Sequence, residues 1–137
     1  MDRSELHRLL RSFLREDIGH GDLSSEALFT RGEQGQARLV AREPLVAAGV
    51  ESVAGEVFCL QNPGIQMDGA VADGSLVAAG DILLTVRGSV VDLLKAERVA
   101  LNLLQRLCGI ATFTAQFVEK SKLYPVRITD TRKTTPG

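Results

Sequence analysis

The chain has no tryptophan, one tyrosine and five phenylalanines in 137 residues. So little aromatic surface argues against a protein that stacks bases along a nucleic-acid strand. Charge argues the same way, because 16 basic and 17 acidic residues leave a net charge of −1. That balance gives no sign of bulk binding to nucleic acid or to an anionic membrane. There are only two cysteines, Cys59 and Cys108, and no Cys-x-x-Cys or Cys/His spacing that would mark a metal site. Two separated thiols in apolar runs read as reduced core residues of a cytoplasmic protein. No apolar run approaches the ~20 residues of a membrane span, and no signal peptide follows the polar opening Met1-Asp2-Arg3-Ser4-Glu5. Lysine is absent from residues 1–94.

What remains is ordinary globular composition, 45% hydrophobic and 24% charged, long enough for one domain with a real core. Arginine outnumbers lysine twelve to four. Arginine suits planar carboxylate and phosphate partners, although genomic composition alone produces the same ratio.

Leu6, Leu9, Leu10, Phe13 and Leu14 recur at helical spacing and predict a helix from about Ser4 to Arg15. The run Glu16-Asp17-Ile18-Gly19-His20-Gly21-Asp22 predicts a loop. Residues 35–48 read as strand, chiefly Gln36 to Arg42, with a break at Pro44. A second helix follows Gly49 and stops at Asn62-Pro63-Gly64. Ile65 to Val86 is β-rich, with Asp68-Gly69, Asp73-Gly74 and Gly80-Asp81 as tight turns and residues 82–86 as a buried strand. Ser89 reads as an N-cap with Asp92 three residues on. The helix it opens runs to about Leu107, Gly109 interrupts, and another helix covers about Ile110 to Lys122. Pro125 to Thr129 reads as a last strand.

On a helical wheel, Asp92, Lys95, Arg98, Asn102, Gln105 and Arg106 share one sector of the long helix. Leucines and alanines fill the rest, and Glu97 points into the Leu93/Leu101/Leu104 side. A carboxylate there must be paired, protonated or at an interface edge. The stripe is either a solvated charged face or the mounting of Arg98 toward an anion, and periodicity leaves both open.

The terminal run Asp130-Thr131-Arg132-Lys133-Thr134-Thr135-Pro136-Gly137 sets two adjacent cations after the predicted strand. A side chain at the carboxyl end of a strand is where α/β proteins tend to place chemistry.

Several segments together resemble one family. They are Glu16-Asp17-Ile18-Gly19-x-Gly21-Asp22-Leu23, Ala41-Arg42-Glu43 and Asp73-Gly74-x-x-Val77-x-x-Gly80. Glu97-Arg98-x-Ala100-Leu101-Asn102-Leu103-Leu104, Gly109-Ile110-Ala111-Thr112 and the terminal run complete the set. In this order they resemble the amino-terminal half of quinolinate phosphoribosyltransferase, the decarboxylating enzyme of NAD biosynthesis.

The resemblance implies an α+β fold: an amino-terminal α/β sandwich, hammerhead-like, over residues 1–123. Residues 124–137 would begin a catalytic α/β barrel. It implies that quinolinate and phosphoribosyl pyrophosphate give nicotinate mononucleotide, pyrophosphate and carbon dioxide. It also implies a homodimer in which Arg98 binds quinolinate in the neighbouring subunit's active site. Thr131, Arg132 and Lys133 match the family's substrate-binding run, with Lys133 neutralising substrate charge as the catalytic candidate. Thr131 would position the anion through its hydroxyl or backbone. Mg²⁺ would come with the pyrophosphate, its ligands outside this chain. The family's His-Arg pair, second lysine, acidic ligands and phosphate loop are not among these residues, so the chain alone is expected to be inactive. An assay of nicotinate mononucleotide formation by residues 1–137 tests that expectation.

Val99 and Cys108 replace residues that the family often has as Thr and Ser. Cys108 reads as a buried bystander, having no nearby base. His7 and His20 read as solvated surface. Asp17 and Asp22 read better as parts of a loop that caps the following turn than as a metal pair. Residues 73–83 also resemble biotinyl and lipoyl carrier domains, but the absent lysine excludes carrier function. The alternatives are a non-catalytic dimerisation or regulatory fragment, and the related molybdenum-transport protein.

Overall fold

The computed structural model describes residues 2–30, 32–131, 133 and 134. Helix α1, Arg3–Ile18, begins at Asp2, whose carboxylate accepts from the Glu5 N–H at 2.8 Å. It runs three residues beyond the expected stop at Arg15. Ile18 continues the apolar stripe one turn past Leu14, so the helix still has a face to bury, and Gly19 ends it. Glu16 and Asp17 are therefore helical, not loop.

Helix α2, Leu23–Leu28, is too short to leave a periodic signal. Its N-cap is Asp22, which accepts from the Ser25 N–H at 3.2 Å and the Ser25 hydroxyl at 2.8 Å. The expected capping role of Asp22 is thus what the geometry displays.

Strand β1 is Gln34–Val40, shifted two residues from the expected Gln36–Arg42, and β2 is Leu45–Val46 after the break at Pro44. The expected second helix divides in two. A π-helical turn spans Val50–Gly55 and passes directly into α3, Glu56–Gln61. Gly49 takes φ +75° where this turn starts, a left-handed conformation that glycine adopts without strain. Its N–H donates to Asp73 Oδ1 at 2.8 Å, so a distant loop caps the turn. Strands β3, Gln66–Asp68, β4, Leu76–Val77, and β5, Ile82–Ser89, fill the β-rich stretch.

Strand β5 is central in a three-stranded antiparallel sheet of order β1-β5-β3, and β2 pairs antiparallel with β4. The register places Leu39 opposite Leu84 and slips at Val40, which faces Ile82.

Helix α4, Val90–Ser121, is one continuous helix, not two. A glycine inside a helix costs about 1 kcal/mol relative to alanine. Anchors on both sides of Gly109 offset that cost. The Ala48 N–H donates to Cys108 Sγ at 3.4 Å, and the Val46 N–H donates to Thr112 Oγ1 at 2.9 Å. Ser89 takes the expected N-cap position, but without the capping bond. It is still in the ladder opposite Gln34. Asp92 instead accepts from Gln61 Nε2 at 3.1 Å and Asn62 Nδ2 at 2.7 Å, tying the end of α3 to the start of α4.

The core lies between the sheet and these helices. Leu10 and Leu14 of α1 meet Phe58 of α3, Leu84 and Val86 of β5, and Ala96, Ala100 and Leu104 of α4. Burying each large member stabilises the fold by about 1.5–3 kcal/mol. Burial along α4 ends at Cys108, and Ile110, Phe113 and Phe117 stand exposed beyond it.

Among the described residues, Pro125 to Thr129 form no strand. A strand needs a ladder partner for its backbone groups, and nothing here pairs with this exposed segment.

Candidate functional site

One face of α4 carries the polar stripe, and the structure shows what each member meets. Val99 and Ala100 are buried beside Arg98, so the helix is fixed where the guanidinium emerges. Arg98 Nε lies 3.1 and 3.0 Å from the two carboxylate oxygens of Asp17, and Nη2 lies 3.0 Å from Oδ2. Nε thus donates to both oxygens, and Nη2 adds an ion-pair contact along the same side of the guanidinium. The Arg98 side chain remains 52% exposed against 25% for Asp17. The bonds to Asp17, and then its charge, push the Arg98 pKa further up, with Asp22 and Glu97 adding and burial opposing.

One turn toward the N-terminus of α4, Lys95 pairs with Glu26 of α2. Asp22 lies in the field of both cations. Its carboxyl is held below its ordinary value, first by the Ser25 hydroxyl and backbone bonds, with burial opposing and Arg98 and Lys95 assisting. The basic face of α4 is thus met by acidic residues from the end of α1 and from α2.

Glu97 lies on the Leu93/Leu101 side, as the wheel sets it. It is exposed at the edge of a cleft lined by Arg38, Phe58, Leu93 and Leu101. On that side Leu93 and Leu104 are buried while Glu97 stays open at the edge. His7 is not simple surface. It is half-buried, with Nε2 at 2.9 Å from Glu56 Oε2 but not aligned for a hydrogen bond. Arg3 reaches the other oxygen of Glu56 at 2.7 Å. His20 is exposed as expected.

The terminal candidates are only partly described. Thr131 and Lys133 are exposed, and the Lys133 N–H donates to Thr131 Oγ1 at 3.3 Å. Arg132 lies outside the described residues. Among the described residues no hydrogen bond or ion pair joins Arg98 to Thr131 or Lys133. Among the described residues, Arg98 is bonded to Asp17 and not to the terminal candidates.

Asp17 was missed as a partner of Arg98. The available signal was the extra turn of α1, because Ile18 kept the apolar spacing and set Asp17 on a helix end. Among the described residues no group of three or more His, Cys, Asp or Glu side chains converges as metal ligands would. Beside the lower end of α4, a groove runs past Ala41, Pro44, Leu45, Gln105, Thr112 and Phe113.

This architecture matches solved structures over nearly its whole length. NadC from Streptococcus pyogenes superposes with a TM-score of 0.93 at 38% identity, covering 99% of this chain and 48% of that one. The nicotinate-nucleotide pyrophosphorylase of Francisella tularensis gives 0.90 at 32% identity, again over 99% and 48%. In sequence, the probable nicotinate-nucleotide pyrophosphorylase [carboxylating] of Synechocystis sp. is 44% identical, over 93% of this chain and 43% of that protein. The Bacillus subtilis protein of the same name is 41% identical over 100% of this chain and 47% of its own length. The chain spans about half the length of the curated relatives it matches. Residues 22–108 match the family model described as quinolinate phosphoribosyl transferase, N-terminal domain. That match takes in most of the chain, including the helix that carries Arg98, and the chain therefore belongs to the quinolinate phosphoribosyltransferase family.

Proposed function

We propose that this chain serves as the amino-terminal part of a decarboxylating quinolinate phosphoribosyltransferase. Quinolinate attacks the anomeric carbon of phosphoribosyl pyrophosphate. Pyrophosphate leaves, the 2-carboxylate departs as carbon dioxide, and nicotinate mononucleotide remains. The observation that carries this reading is Arg98, a forked cation half open to solvent and held on a buried helix. Such a group suits one carboxylate of a pyridine dicarboxylate.

In this reading residues 1–123 are the sandwich domain and 124–137 begin the barrel. Thr131, Arg132 and Lys133 bind substrate from the barrel side, with Lys133 neutralising charge as the bonds change. Arg98 serves the neighbouring subunit of a homodimer, and the exposed face at Ile110, Phe113 and Phe117 supports an association at that end of α4. The protein works in the cytoplasm. Mg²⁺ accompanies the pyrophosphate.

The test is to read the coding frame past Gly137, express the whole frame and assay quinolinate-dependent pyrophosphate release. Turnover is expected, and Arg98→Ala and Lys133→Ala should each lose about 2–4 kcal/mol of transition-state binding, on the order of 30- to 1000-fold in kcat/KM. A stop codon directly after Gly137, or a complete frame without turnover, sinks the enzyme reading. The chain would then be a non-catalytic association module, a second reading that the exposed α4 face favours.

A further inference from the structure

Arg98 has five N–H donors arranged as two forks, one along its Nε/Nη2 side and one across its Nη1/Nη2 end. Asp17 lies along the first side, accepting from Nε at 3.1 and 3.0 Å and in ion-pair contact with Nη2 at 3.0 Å. Nothing among the described residues takes the second fork. Asp17 sits in the last turn of α1 and Arg98 in the first half of α4, two helices that pack against each other through the core. The carboxylate is the less exposed partner, at 25%.

We propose that Asp17 is a positioning residue for substrate. It clamps the side of the Arg98 guanidinium and leaves the end-on fork aimed outward for a carboxylate of quinolinate. The inference rests on the function proposed above and assigns a role to a residue outside the Thr-Arg-Lys run. An unclamped arginine on a helix surface samples many rotamers and loses that freedom when a ligand orders it. Clamping one side beforehand removes part of that loss. The pair as a whole is neutral, but the N–H donors at the free end of the guanidinium are left to bond a carboxylate. A purely structural salt bridge at such an exposed site would be worth little to stability. The two roles therefore separate by experiment.

The test uses the protein expressed from its full reading frame, with Asp17→Ala and Asp17→Asn. Quinolinate affinity is read by titration calorimetry and by KM, the phosphoribosyl pyrophosphate KM is measured in parallel, and the fold is followed by thermal melting. Asp17→Ala is expected to weaken quinolinate about three- to tenfold, the scale of ordering one long side chain. Asp17→Asn keeps one acceptor oxygen and should fall between Ala and wild type. The phosphoribosyl pyrophosphate KM and the melting midpoint should stay put. If Asp17→Ala and wild type bind quinolinate equally, Asp17 does not position Arg98. If the variant binds more tightly, Asp17 competes with substrate and the positioning role is overturned. If the Asp17→Ala midpoint drops and Asp17→Asn restores it without any selective quinolinate effect, the pair is structural only. If wild type itself neither binds nor turns over quinolinate, the functional reading falls and this inference falls with it.

Discussion

The Thr112 hydroxyl accepts from the Val46 N–H at 2.9 Å and donates to the Cys108 carbonyl at 2.7 Å, joining α4 to the edge of β2 in one relay. Both ends are partly buried. Thr112→Val keeps the shape and removes the acceptor, stranding the Val46 N–H. The expected cost is about 1–3 kcal/mol, read from urea denaturation, while Thr112→Ser should remain near wild type. Equal stability of Thr112→Val and wild type would mean that water replaces the hydroxyl.

Gly49 and Gly109 should respond in opposite directions to alanine. At Gly49 the backbone has φ +75° and an added Cβ would lie 2.5 Å from Leu107 Cδ1. Gly49→Ala is expected to cost about 1–3 kcal/mol for backbone strain before any displacement of Leu107. At Gly109 an added Cβ meets nothing within 4 Å, and the residue is helical. Gly109→Ala should raise stability by about 0.5–1 kcal/mol. Melting both variants beside wild type checks the signs, and a destabilised Gly109→Ala would reveal a contact made at that face.

Acid should loosen α2 through Asp22. Its folded pKa is lowered, so the native chain stays ionised to lower pH than the unfolded chain. The stabilisation is complete above the unfolded aspartate value of about 4 and is lost as pH falls through the lower folded value. Amide exchange at Ser25 and Glu26 is expected to accelerate only below about pH 4. Asp22→Asn should flatten that dependence. An unchanged acid profile in Asp22→Asn would show that the cap carries no linkage.

The thiols should be slow to react. Burial, then the Glu56 charge, pushes the Cys59 thiol up, with Arg3 opposing. Cys108 is 4% exposed and held against Ala48. Maleimide labelling near neutral pH should be slow at Cys59 and should reach Cys108 only on unfolding. Fast labelling of Cys108 in the folded protein would contradict the docked geometry of α4.

Patterns set by a local period were legible in the sequence. The apolar stripes of α1 and α4 and the turn glycines that fix β3 to β5 all lie where spacing places them. The errors fall where distant contacts decide. Gly109 stays helical because Val46 and Ala48 hold the residues beside it, partners 60 or more positions away. Asp92 abandons a local cap for Gln61 and Asn62. Pro125 to Thr129 has strand composition, yet composition supplies no neighbouring strand. At the candidate site, Arg98 could be singled out from its motif. Its link to Asp17 crosses 81 positions and no periodicity reports it.

The unbroken course of α4 makes it a yardstick. Arg98 and Phe117 lie 19 residues apart on one rod, a separation of about 28 Å along its axis. Whatever rests on Phe113 and Phe117 is thereby set at a fixed height and azimuth from the guanidinium. One extra residue at Gly109 would swing those rings about 100° around the axis relative to Arg98. The same insertion after Ser121 would leave their phase untouched.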